Sequence, residues 1–215
     1  KSCDNILKNC AKLSKNDSLL IVSEDPKYGW YNKDITNLIY YQAKKCGIKT
    51  DIMIVGEPTN NPNDNLKIEI DKYDCALFFA RIGDQDRFET YTSTTKRIMS
   101  YVRSTESFFS LFGSTNYNAM KELKKVIDNL ILSSNMIEIT CPLGTEIVGT
   151  ITESQSKINN NDVSVIRFPV VIHSPILANN FSGKVILSKY LTPTGSKVYK
   201  PNYLKLDKPV DAVIK

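Results

Sequence analysis

The chain has 215 residues, 41% of them hydrophobic, with a formal net charge of +5. That is enough apolar material for a sizeable core, spread over one large domain or one domain plus part of another. The charge is dispersed rather than striped, and no apolar run approaches the ~20 residues of a membrane helix, so we expect neither nucleic acid nor membrane as a partner.

The first two-thirds of the chain alternates helical and strand patterns. Cys3, Ile6, Leu7, Cys10 and Ala11 recur at helical spacing, which predicts an amphipathic helix over residues 3–13. Residues 18–23 (SLLIVS) form a short apolar run of the kind buried on both faces of a parallel sheet. Asp34 is placed to cap a helix through about Cys46, with Ile35, Leu38, Ile39 and Gln42 inward and Gly47 ending it. Residues 48–55 follow as a second strand. A polar loop with Pro58 and Pro62 leads to a short helix near 66–71. The run 74–80 (DCALFFA) predicts a third buried strand and 96–102 a fourth.

Residues 117–132 give the clearest helix, with Met120, Leu123, Lys124, Ile127, Leu130 and Ile131 at helical spacing. Residues 136–140 (MIEIT) are expected to be the fifth strand, and residues 140–146 read as strand, tight turn, strand. Strands alternating with helices predict an α/β fold, a doubly wound, mostly parallel sheet of the Rossmann or flavodoxin kind over residues 1–140. From 141 to 215 no helical pattern persists. Strand-like pieces at 146–151, 163–171, 184–187 and 210–214 predict a β-rich unit, expected to be the start of an incomplete second domain. Lys1 in place of Met, and the strand-like final segment, lead us to expect a piece of a longer protein.

Five cysteines at irregular spacing, with no CxxC pair, read as buried, reduced thiols, and four of them lie in or beside apolar segments. With no secretory signal pattern, the expected location is the cytoplasm.

The common catalytic motifs are absent: there is no GxxxxGK[ST], GxGxxG, HExxH or GxSxG. A single histidine, His173, rules out a metal site built on several imidazoles of this chain. The richest local cluster is Arg81-Ile82-Gly83-Asp84-Gln85-Asp86-Arg87-Phe88, directly after the third strand. Ligands of open parallel sheets collect at the carboxyl ends of strands. Arg81, Asp84 and Arg87 are therefore candidates for orienting an anionic or peptide-like ligand through guanidinium contacts, or for a structural ion-pair network. Gly83 suggests a special backbone conformation there. Glu24 and Asp25 follow the first strand and either bind a ligand or cap the next helix; Tyr28, Trp30 and Tyr31 just beyond can line a cleft, pack on the sheet or form a dimer surface. His173 is a candidate acid or base if it joins Arg81 and Asp84, and otherwise a hydrogen-bonded structural residue.

With the strand ending SED, the segment ITCPLGTEI after a long helix, and the later FPVVIHSPILANNFSGKVIL, the chain resembles the N-terminal portion of aminopeptidase T-like (thermophilic leucyl aminopeptidase-like) proteins. Relatives of that family include dihydroxypyridine dioxygenases. The resemblance implies an α/β N-terminal domain, a homodimer, and a divalent metal held by a C-terminal domain. Family members with peptidase activity carry a Gly-Glu pair where this chain reads Phe168 to Pro175 without a Glu, so no metal ligand carries over, and no cofactor is expected within this chain. The expected function is that of an N-terminal portion shaping a substrate cleft and dimer. The alternative is a binding or scaffold protein that kept the fold and lost the metal site.

Overall fold

The computed structural model describes residues 1–59, 64–85, 93–151, 165–169, 179–191 and 203–214. Arg87 and His173 lie outside the described residues. The chain divides into two compact units: the first holds residues 1–122 and 163–171, the second mainly residues 123–162 and 172–194 and the C-terminal stretch.

In the first unit, α1 (Ser2–Asp4) runs on into a π-helical stretch, Asn5–Cys10, that buries Ile6, Leu7 and Cys10. Next come β1 (Ser18–Glu24), α2 (Lys33–Lys45), β2 (Lys49–Val55), α3 (Asp64–Ile70), β3 (Cys75–Phe79) and β4 (Lys96–Ser100). Leu19 to Val22 of β1 and the whole of β3 are apolar because both faces of these strands are covered; Leu19 to Val22 and Cys75 to Phe79 are all buried. The N-cap of α2 is Asn32, whose Oδ1 accepts from Asp34 N at 2.7 Å, so Asp34 is a first-turn residue and not the cap. Ile35, Ile39 and Ala43 face the core, while Leu38 is exposed. Gly47 follows the helix at φ +77, the left-handed conformation that favours glycine. Two short helices, α4 (Thr105–Phe109) and α5 (Leu111–Ser114), were not expected; Ser104 and Ser110 cap them.

With β7 (Ile166–Phe168), the first sheet has the order β2-β1-β3-β4-β7, with every pairing parallel. Its fifth strand is β7, not the expected 136–140. Phe168 is fully buried and stacks on Tyr117 with ring centroids 6.3 Å apart.

The long helix α6 (Tyr117–Leu132) has the expected span. Its N-terminal part packs Tyr117 and Met120 against the core, but Leu123, Ile127 and Leu130 are exposed among the described residues. Helical periodicity marked the apolar face correctly but could not say what covers it. Beyond it, β5 (Met136–Thr140) turns through Cys141 to Gly144 and pairs antiparallel with β6 (Glu146–Thr150). A tight turn closes this hairpin: Gly144 N donates to Cys141 O at 3.0 Å, and Gly144 has φ +99. Hairpin pairing with β6 thus claims the strand that periodicity had assigned to the parallel sheet. With β8 (Phe181–Leu187) and β11 (Val210–Ile214) it forms a four-stranded antiparallel sheet, β11-β8-β6-β5. A two-stranded piece joins β9 (Tyr190–Leu191) to β10 (Leu204–Lys205).

The α/β class, a doubly wound parallel sheet followed by a β-rich unit, is borne out. The expected break at residue 140/141 is corrected, because the antiparallel unit takes up 136–140 and the parallel unit reclaims 166–168. Among the described residues no helix is long and apolar enough to cross a membrane.

All five cysteines are free: Cys10 and Cys75 are buried, Cys3 and Cys46 half-buried, and Cys141 exposed. Burial pushes the Cys10 and Cys75 thiols up to about 12. Cys141 is held below its ordinary value, first by the Thr145 hydroxyl and then by backbone N–H groups of the turn. The thiolate is the reactive form. In native protein Ellman's reagent should therefore modify Cys141 first, and Cys10 and Cys75 only on unfolding. Fast native labelling of Cys10 or Cys75, mapped by peptide mass, would contradict that packing.

Candidate functional site

Because the chain runs from β1 to β2 on one side and then to β3 on the other, the strand order reverses between β1 and β3. Open α/β sheets bind ligands outside the carboxyl ends of the strands at such a switch point. Here β1 ends at Glu24, β3 at Phe79 and β4 at Ser100, and the residues that follow them converge.

Glu24 is 1% exposed, at the end of an otherwise apolar strand. A carboxylate so placed requires a charged partner and hydrogen bonds. Arg81 supplies both. Its Nε donates to Glu24 Oε1 at 2.9 Å, its Nη2 to the same oxygen at 2.6 Å, and its backbone N–H to Oε2 at 2.8 Å. Arg81 begins a single 3-10 turn, Arg81–Asp84. Gly83 in this turn is not at positive φ; it is needed because a Cβ there would lie 2.6 Å from Met99 Sδ and from Phe78 Cβ. The expectation of a special backbone at Gly83 is corrected to a close approach. Asp84 accepts from the Tyr101 hydroxyl at 3.0 Å.

The stretch after β1 completes the cluster. Asp25 caps the turn Pro26–Tyr28 by accepting from Lys27 N at 3.0 Å, and Gly29 leaves it at φ +72. Of the adjacent pair, then, Asp25 caps, whereas Glu24 holds an arginine. The turn delivers Trp30 and Tyr31 to the same edge. The Tyr31 hydroxyl donates to Ser100 O at 3.2 Å, and its ring meets Phe79 edge-on. Burial raises the Tyr31 hydroxyl above its ordinary pKa, with Arg103 opposing. The Arg81 guanidinium carbon lies 4.6 Å from the Trp30 ring centroid and that of Arg103 4.8 Å, both over the ring. Each contact is worth about 0.5–2 kcal/mol, depending on its exposure.

Two of the four sequence candidates, Arg81 and Asp84, therefore meet at the switch point. Arg81 is largely committed to Glu24, so the structural ion-pair reading describes it better than a free ligand clamp. Arg87 and His173 fall outside the described residues. Arg103 and Tyr101 were missed. The only signal for them is their place just after a buried strand, which many surface residues share.

No protein-family model and no curated protein matches the chain. Among solved structures, it is similar to the 2,5-dihydroxypyridine dioxygenase from Pseudomonas putida KT2440, with TM-score 0.55 and 10% identity over 97% of this chain and 67% of that one. What is shared is the fold. Among the described residues no three His, Cys, Asp or Glu side chains converge as metal ligands, so the described part of the edge does not fit a metal.

Proposed function

We propose that the chain is the N-terminal, α/β portion of an aminopeptidase T-like metalloenzyme. In this reading its carboxyl edge shapes the substrate cleft, its folded units contribute to a homodimer, and a divalent metal is held by residues outside this chain. The observation that carries the reading is the buried Glu24–Arg81 pair, which builds a rigid polar edge at the switch point where such sheets bind ligands. The fold likeness to a dihydroxypyridine dioxygenase supports it, because the resemblance read from the sequence implies such dioxygenases among that family's relatives.

The work assigned to this chain's own residues is binding and orientation. Glu24 holds Arg81 rigid, Arg81 and Arg103 flank Trp30, and Asp84 fixes the Tyr101 hydroxyl. A positioned group of this kind accelerates chemistry done elsewhere in the cleft by fixing the substrate's approach.

The test is elemental analysis of the full-length protein, with aminoacyl p-nitroanilide hydrolysis and 2,5-dihydroxypyridine consumption assayed side by side. Bound divalent metal with release of p-nitroaniline, lost on chelation, is the expected result. A metal-free protein that turns over neither compound sinks the enzyme reading and leaves the alternative, a binding protein that kept the fold. The missing Gly-Glu pair at residues 168–175 favours that alternative.

A further inference from the structure

We infer that Arg103, seated on Trp30, takes the carboxylate of a small-molecule ligand at the carboxyl edge of the parallel sheet. The inference rests on reading that edge as a ligand site and names the chemistry it recognises. The contrast between the two arginines there carries it. Arg81 is 12% exposed, and its Nε, Nη2 and backbone N–H are all given to Glu24. Arg103 is exposed, and no carboxylate among the described residues pairs with it.

An unpaired arginine on a surface is ordinarily a mobile, hydrated side chain. Arg103 differs in being held. Its guanidinium carbon lies 4.8 Å from the Trp30 centroid and 5.9 Å from that of Tyr31. Its carbonyl accepts from Asn32 N at 2.9 Å, so the segment carrying the arginine is tied to the segment carrying the rings. Trp30 in turn lies under Arg81, which Glu24 locks, and Tyr31 is anchored to Ser100 O. Stacking occupies the π-face of a guanidinium, and beyond its contact with the Tyr31 hydroxyl the N–H edge of Arg103 is left for a ligand, at reduced entropic cost because the plane is already set.

Charge selects the ligand. Glu24 neutralises Arg81 and Asp25 pairs with Lys27 at 3.0 Å, whereas the Arg103 charge is unmet by any described carboxylate. One guanidinium fork matches the two oxygens of a monoanionic carboxylate. Doubly charged phosphate groups are generally met by arginine clusters. Exposure of Arg103 to water implies modest, millimolar-range affinity.

The chain has a single tryptophan, so Trp30 fluorescence reads this site alone. Benzoate and inorganic phosphate are titrated into the protein with excitation at the red edge of tryptophan absorption, and calorimetry is run in parallel. Benzoate should give a saturable change and bind more tightly than phosphate. Arg103→Ala should weaken benzoate about tenfold or more, the loss of one charge-assisted contact. Arg103→Lys, which keeps the charge without the fork, should fall between. A wild-type protein with neither a saturable signal nor heat overturns the proposal, as does an Arg103→Ala variant that binds benzoate like wild type. Tighter binding of phosphate than benzoate overturns the carboxylate assignment. The readout needs no metal and no turnover, so loss of the enzyme reading and loss of this site are separate results.

Discussion

Replacing Glu24 with alanine is expected to destabilise the parallel-sheet unit by about 3–5 kcal/mol, the cost of leaving a nearly buried guanidinium without its counter-charge. Glu24 is 1% exposed, and Arg81 is 12% exposed and held through three N–H groups. Removing the carboxylate orphans all three donors at once, and water can reach them only poorly. Urea unfolding followed by Trp30 fluorescence measures the change. Replacing both partners, Glu24→Leu with Arg81→Met, should cost far less than Glu24→Ala alone, because a buried ion pair contributes little net stability compared with well-packed apolar residues. If the single variant lost less than about 1 kcal/mol, the pair would be solvated and the rigid edge inferred from it would not exist. The outcome also bears on function: a loosened Arg81 would no longer hold Trp30, and benzoate binding at Arg103 should weaken with it.

The second large effect is expected at the far side of the sheet. Phe168→Ala should cost about 3–5 kcal/mol, the range for emptying a buried aromatic site. Phe168 is fully buried in the short strand β7, pairs in register with Ser100 and stacks on Tyr117. The loss should appear in the urea midpoint read by Trp30, which sits in the same unit although 138 positions earlier in the sequence (168 − 30). A variant whose Trp30 transition matched wild type would show that residues 166–168 do not belong to this sheet.

Much of the fold was legible because each element is specified by local pattern. LLIV and CALFF are apolar at every position, the pattern that strands covered on both faces require. The helix 117–132 announced itself by apolar spacing, and Gly47 and Gly144 occupy the left-handed conformations that end a helix and close a turn. The short helices after β4 were missed because a helix of little more than one turn shows no periodicity, although both begin at a capping serine.

The candidate site was legible in part. The rule that ligands gather at strand carboxyl ends led to Arg81 and Asp84, and the aromatic run Tyr28 to Tyr31 was noted as able to line a cleft. The sequence could not show that Glu24 and Arg81, 57 positions apart, form one buried pair. Nor could it show that Arg81 and Arg103 both stack on the Trp30 ring.

By itself, then, the sequence determined the elements: apolar runs, helical spacing, caps and turns are properties of neighbours along the chain. Only the tertiary structure decided which strand stands beside which. It gave 136–140 to a hairpin and 166–168 to the parallel sheet, and it committed Arg81 to Glu24 while leaving Arg103 on the Trp30 ring. Those outcomes depend on burial and on charge pairing between residues far apart in the chain, and local pattern carries no record of either.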